Sequence, residues 1–127
     1  PAELGPEEGA RRYAATIAAV DRFDLVLLGL GEDGHVASLF PDNAARALAQ
    51  DAVPVRDSPK PPPERISLSA ARLSRTDAVF FLVTGSAKRQ ALAAWLDGQP
   101  IPAADITPEN GVDIFVDRAA MPLQSET

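Results

Sequence analysis

The sequence has no cysteine, and only one histidine, one tryptophan, one tyrosine and one methionine among its 127 residues. Without cysteine there is no disulfide framework and no thiolate zinc site, which fits a reducing compartment, so the cytoplasm is the expected location. No apolar run approaches the roughly 20 residues a membrane span needs, and no charged-then-apolar leader opens the chain. Cations are in deficit: 12 Lys and Arg against 18 Asp and Glu leave a formal charge of −6. Nucleic acids and anionic membranes require a basic field that displaces counterions, so neither is an expected partner. A small anion held by a few local cations remains compatible with that charge.

What is present is the composition of a folded domain, 46% hydrophobic and 24% charged. A chain of this length buries roughly two thirds of its unfolded surface. It starts at Pro1 rather than Met, directly into a helix-like segment, as expected for part of a longer protein. Pro6 followed by Glu7 and Glu8 reads as a helix start, and Tyr13, Ile17 and Val20 continue at helical spacing, predicting an amphipathic helix from Pro6 to Val20. Phe23 to Leu30 is almost continuously apolar, the pattern of a strand covered on both faces in a parallel sheet. Asp51 to Arg65 contains five prolines (Pro54, Pro59, Pro61, Pro62, Pro63) and reads as an ordered, extended loop, neither ladder nor helix. Ser69 is a candidate cap for a short helix with Ala70, Ala71 and Leu73. Ala78 to Thr84 is a second buried strand, Ala87 to Leu96 a helix ended by Gly98, and Val112 to Val116 a third strand. The order predicts an α/β fold, a doubly wound, Rossmann-like, mainly parallel sheet with helices on both faces, formed by residues 1–127 as a single α/β domain.

In such sheets ligands bind beyond the carboxyl ends of the strands, so chemistry is expected after Leu30 and after Thr84. The first segment reads Gly29-Leu30-Gly31-Glu32-Asp33-Gly34-His35. Its glycines formally satisfy G-x-G-x-x-G, but a dinucleotide fingerprint opens a long helix, and Pro41 follows the last glycine by only seven residues. The better reading is a backbone that approaches a ligand closely and presents Asp33 and His35 to it. An imidazole at a strand end is suited to take a proton from water, with Asp33 orienting the ring. The plain alternative is a His35 that donates to a carbonyl and an Asp33 that caps the turn.

The second segment, Thr84-Gly85-Ser86-Ala87-Lys88-Arg89, places two cations in the first turn of a helix, where acids are normally preferred. An anion docked on the same N–H groups accounts for that, with phosphate the natural candidate. Ser86 as an ordinary cap, with Lys88 and Arg89 solvated, accounts for it equally. Arg65 is a third cation whose planar fork suits a phosphate, although its local sequence taken alone reads as that of a surface residue rather than a ligand contact.

Three separated stretches carry a resemblance: Phe23 to Pro41 (FDLVLLGLGEDGHVASLFP), Ser58 to Leu68 (SPKPPPERISL) and Thr84 to Lys88 (TGSAK). Together they resemble the 6-phosphogluconolactonases, and only the carboxyl-terminal half of that family. The amino-terminal half, with its Ser-Gly-Gly-Ser phosphate loop and Asp-Glu-Arg segment, has no counterpart here. Val36 and Glu32 stand where family members often carry Thr and Pro. The resemblance implies the fold of the glucosamine-6-phosphate isomerase/deaminase type, incomplete in this chain. It also implies hydrolysis of 6-phospho-D-glucono-1,5-lactone to 6-phosphogluconate in the pentose phosphate pathway. No metal and no cofactor is expected, and the full-length protein is expected to be a monomer.

On that reading His35 is the general base for water, Asp33 holds the imidazole, and the N–H groups of the glycine loop from Gly31 to Gly34 stabilise the oxyanion. Arg65 and Lys88 fix the 6-phosphate. The related deaminases share Gly-x-Asp-Gly-His but continue to a glutamate five residues after the histidine. Phe40 occupies that position, cannot ionise, and favours the lactonase. An amino-sugar phosphate deaminase and a non-catalytic sugar-phosphate sensor remain the alternatives.

Overall fold

The computed structural model describes residues 2–123. Helix α1 spans Pro6–Ile17, with proline in its first turn and Glu7 and Glu8 beside it. It ends three residues before the expected Val20, and its buried stripe is Pro6, Gly9 and Ala10. Tyr13 and Val20, expected to be inward, are 37% and 45% exposed. The reason is the partner surface: α1 lies on a small hairpin, where close approach selects Gly9 and Ala10.

Strand β1 (Phe23–Gly29) follows. The proline-rich segment then departs from expectation, because β2 (Ala52–Val55) and β3 (Arg65–Leu68) form an antiparallel pair. Pro54 sits inside this ladder, opposite Ile66. A two-stranded ribbon consists only of edges, so a residue without an N–H is tolerated there, as it would not be in a central strand. The intervening residues are ordered as expected. The Ser58 amide donates to the Pro63 carbonyl (3.0 Å), and Arg65 donates to the carbonyls of Lys60, Pro61 and Pro62 (2.9, 3.2 and 3.0 Å).

Ser69 caps α2 (Ala70–Ser74) as its sequence predicts, its hydroxyl accepting from the Arg72 amide at 3.0 Å. Strand β4 (Thr76–Val83) leads through a single 3-10 turn, Ser86–Lys88, into α3 (Arg89–Leu96). Strand β5 (Val112–Val116) completes the set. The main sheet runs β1-β4-β5 and is parallel throughout, which the near-continuous apolar runs predict.

Its two faces differ. Val26, Val79, Phe81 and Val83 point into one core with Leu30, Val36, Leu39, Phe40, Val53, Val55, Leu73 and Leu92. On the opposite face Leu25, Leu27, Leu82 and Phe115 are 46%, 59%, 52% and 51% exposed. The expectation of β1 covered on both faces is therefore met on one face only within these residues.

Candidate active site

The three parallel strands end together, and the loops leaving them form the site. β1 passes into Leu30-Gly31-Glu32-Asp33-Gly34-His35, β4 into Thr84 to Lys88, and β5 into Asp117. The first loop is a tight turn: the Gly34 amide donates to the Gly31 carbonyl (3.0 Å) and the Gly31 amide to the His35 carbonyl (2.9 Å). Gly34 has φ +86°, and a Cβ there would lie 2.7 Å from Cβ of Ile101. At Gly31 a Cβ would fall 1.9 Å from Nδ1 of His35. These glycines therefore act by letting His35 and Ile101 close on the turn. Their own amides are occupied within the turn, so in this conformation neither of these two is free to hold an oxyanion.

The next residues do not form a helix. Val36 and Leu39 pair across a second turn, with Ala37 at φ +50°, before Pro41. A dinucleotide-binding reading of the glycines requires a helix here, so the geometry excludes it.

Asp33 and His35 meet as expected. One carboxylate oxygen of Asp33 accepts from the His35 amide at 3.0 Å and lies 2.6 Å from Nδ1 of the ring. Burial pushes the Asp33 carboxyl up, but the amide and ring of His35 outweigh it and hold it below its usual value of 3.8. An ionised carboxylate only accepts, so the proton of the neutral imidazole belongs on Nδ1 and the lone pair on Nε2. Among the described residues Nε2 has no protein partner. The side chain of His35 is 24% exposed and, with Gly29, Leu30, Gly31, Ala37 and Lys88, it lines a cavity of about 300 Å³. A larger groove of about 480 Å³ runs along β1, but its only titratable group is Tyr13, so the smaller cavity is the candidate site.

Lys88 is thus brought beside His35 across the ends of β1 and β4. Arg89 is not, since it donates to the Ala119 carbonyl at 3.1 Å. The Gly85 amide, expected to help hold an anion, already donates to both oxygens of Asp117 (3.1 Å each). Sequence reasoning passed over Asp117, whose signal was its place directly after a parallel strand. Arg65 stands outside the cavity. Two of its nitrogens are bound by the proline-loop carbonyls, and its guanidinium carbon lies 5.3 Å from the Phe40 ring centre. Phe40 in turn packs on His35, ring centres 4.6 Å apart. Ile101 and Ala103 close the far side of the turn, the Ala103 amide donating to the Gly34 carbonyl (3.1 Å). Nothing in the local sequence marks that contact.

A parallel α/β sheet whose strand ends present a carboxylate-oriented histidine and a lysine in one cavity defines a class: α/β proteins with a candidate polar site at the carboxyl ends of their strands. The sequence profile of the family described as glucosamine-6-phosphate isomerases/6-phosphogluconolactonase matches residues 1–115, and the chain belongs to that family. It is 40% identical over 129 residues to the 6-phosphogluconolactonase of Homo sapiens, covering 93% of this chain and 50% of the relative. To the 6-phosphogluconolactonase of Mycobacterium leprae it is 44% identical over 107 residues, covering 81% and 43%. The crystal structure of 6-phosphogluconolactonase from Thermotoga maritima superposes with a TM-score of 0.80 at 32% identity, covering 87% of this chain and 50% of that one. The chain spans about half the length of these relatives. Among the described residues no helix is long and apolar enough to cross a membrane.

Proposed function

We propose that the full-length protein hydrolyses 6-phospho-D-glucono-1,5-lactone to 6-phosphogluconate, with His35 as the general base. The observation that carries this reading is the His35 ring, tied through Nδ1 to ionised Asp33 and leaving Nε2 free beside a cavity shared with Lys88. Nε2 takes a proton from water as the oxygen attacks the lactone carbonyl. The same proton then passes to the departing ring oxygen, so the imidazole ends neutral. Asp33 stabilises the imidazolium between these events. A positioned base of this kind contributes about 10²–10⁴-fold, ample for a reactive ester. Lys88 attracts the phosphate, and the remaining Nη1 of Arg65 is the second cation available to it.

Phe40 favours hydrolysis over deamination, because it is 2% exposed and offers no acid to open a sugar ring. Assaying both reactions separates them: release of 6-phosphogluconate from the lactone is expected, and release of ammonia from glucosamine 6-phosphate instead would overturn the assignment. Lys88→Ala is expected to raise KM for the phosphorylated lactone about 10-fold, by loss of a charged contact. An unchanged KM would remove Lys88 from the phosphate site.

The same reading makes residues 1–127 one half of a larger α/β domain. The relatives' doubled length and the exposed apolar sheet face support it.

A further inference from the structure

Phe40 has no group that can ionise or donate, yet two polar elements of the site converge on its ring. The imidazole of His35 packs on it with centres 4.6 Å apart and planes inclined by 39°. The guanidinium carbon of Arg65 lies 5.3 Å from the same centre. We propose that Phe40 is a positioning residue, a fixed platform that holds the His35 ring in its working orientation and that Arg65 in turn holds in place.

A hydrogen bond to Nδ1 fixes one point of an imidazole, but the terminal torsion of histidine is broad, so the ring remains free to tilt about that point. Gly31 supplies a second contact, its bare Cα side lying directly against the ring. Phe40 supplies the third, and three contacts that do not fall on one line fix a plane. Phe40 can serve as a platform because it is itself immobile. It is 2% exposed within the main core, follows the Val36–Leu39 pairing, and precedes Pro41.

Electrostatics act in the same direction. The face of an aromatic ring is negative and attracts a nearby guanidinium. Arg65 is anchored independently by three carbonyls of the proline loop, so its contact ties that loop to the ring beneath His35. The imidazolium that forms when His35 takes a proton gains the same attraction, which an aliphatic side chain does not provide.

The inference rests on His35 as the base, but it has a readout that needs no turnover. In the full-length protein, ¹⁵N and ¹H spectra of His35 should show a single neutral tautomer protonated on Nδ1, with ring protons shifted upfield by the Phe40 ring. Phe40→Met keeps the bulk and removes the ring. It is expected to lower kcat by at least about 10-fold, in line with the cost of small misplacements. KM should move less than about 3-fold, the signature of an interaction that matters in the transition state. Phe40→Tyr, which retains the ring, should recover most of the lost turnover. The proposal is overturned if Phe40→Met keeps kcat within about 3-fold of the unmodified protein. Should that variant not fold, the unmodified protein decides: averaged tautomers or unshifted ring protons would overturn it. Absence of lactone hydrolysis with the spectrum as expected would instead overturn the reaction while leaving the platform in place.

Discussion

Gly31 is the residue at which the site tolerates least, because the hydrogen it carries in place of a side chain is what lets His35 lie flat against the turn. Gly31→Ala would push a Cβ to 1.9 Å from Nδ1, and the ring, not the backbone, is the part able to move. The variant is expected to fold, to lose about 1–3 kcal/mol of stability on denaturant unfolding, and to lose about 10²-fold in kcat. Wild-type turnover would show that the ring has slack. The Asp33–His35 pair was legible in the sequence, since a spacing of two on a glycine turn leaves few other arrangements. The role of the glycines was only half legible. Their presence signalled close approach, but which atoms approach depends on hydrogen bonds that consume both amides inside the turn. Phe40 read as the absence of an acid; its contact with His35 is a matter of angles that spacing alone does not define.

The elements were legible where periodicity and end signals agreed. The three parallel strands and the Ser69 cap fall as expected. The hairpin did not, because prolines mask a ladder in which Val53 and Val55 are fully buried. Nor did the weight borne by Arg72. This fully buried arginine of α2 donates to the carbonyls of Asp21 (3.0 Å) and Val20 at the end of the α1 region, and lies 3.8 Å from Asp51. Its guanidinium also lies over the Phe23 ring, 4.3 Å from the centre. It therefore closes carbonyls of the loop that leads from α1 to β1, pinning that loop from a distant helix. Arg72→Met is expected to cost about 3 kcal/mol or more in denaturant unfolding, by orphaning those carbonyls and leaving Asp51 to Arg75 alone. A loss below about 1 kcal/mol would mean that water replaces the arginine there. At the other end of α1, Arg11 and Arg12 hold the Glu8 carboxyl down to about 2. A depressed carboxyl stabilises above its ordinary value of 4.5, so this contribution fades only as pH falls towards 2.

At the scale of the whole molecule, the exposed row of Leu25, Leu27, Leu82 and Phe115 bears on how much of the functional protein these residues represent. The apolar runs announced the strands themselves, but of the two covered faces they imply only one is covered by the residues described here. If the full-length protein covers the other, as we propose, Leu27→Lys should destabilise that protein by about 2–3 kcal/mol, through lost burial and a charge placed under cover. An unchanged thermal midpoint would show that the face stays open. The charge of −6 fits the same picture, since the site needs only local cations, and Lys88 is placed beside His35 while Arg65 is one ring away. The central claim is that a histidine with its Nε2 free drives lactone opening, and it is tested most directly by turnover of 6-phospho-D-glucono-1,5-lactone in the full-length protein with His35→Ala. A fall in kcat of about 10²–10⁴-fold is expected, with the thermal midpoint nearly unchanged. Turnover within a few-fold of the unmodified protein would contradict the account.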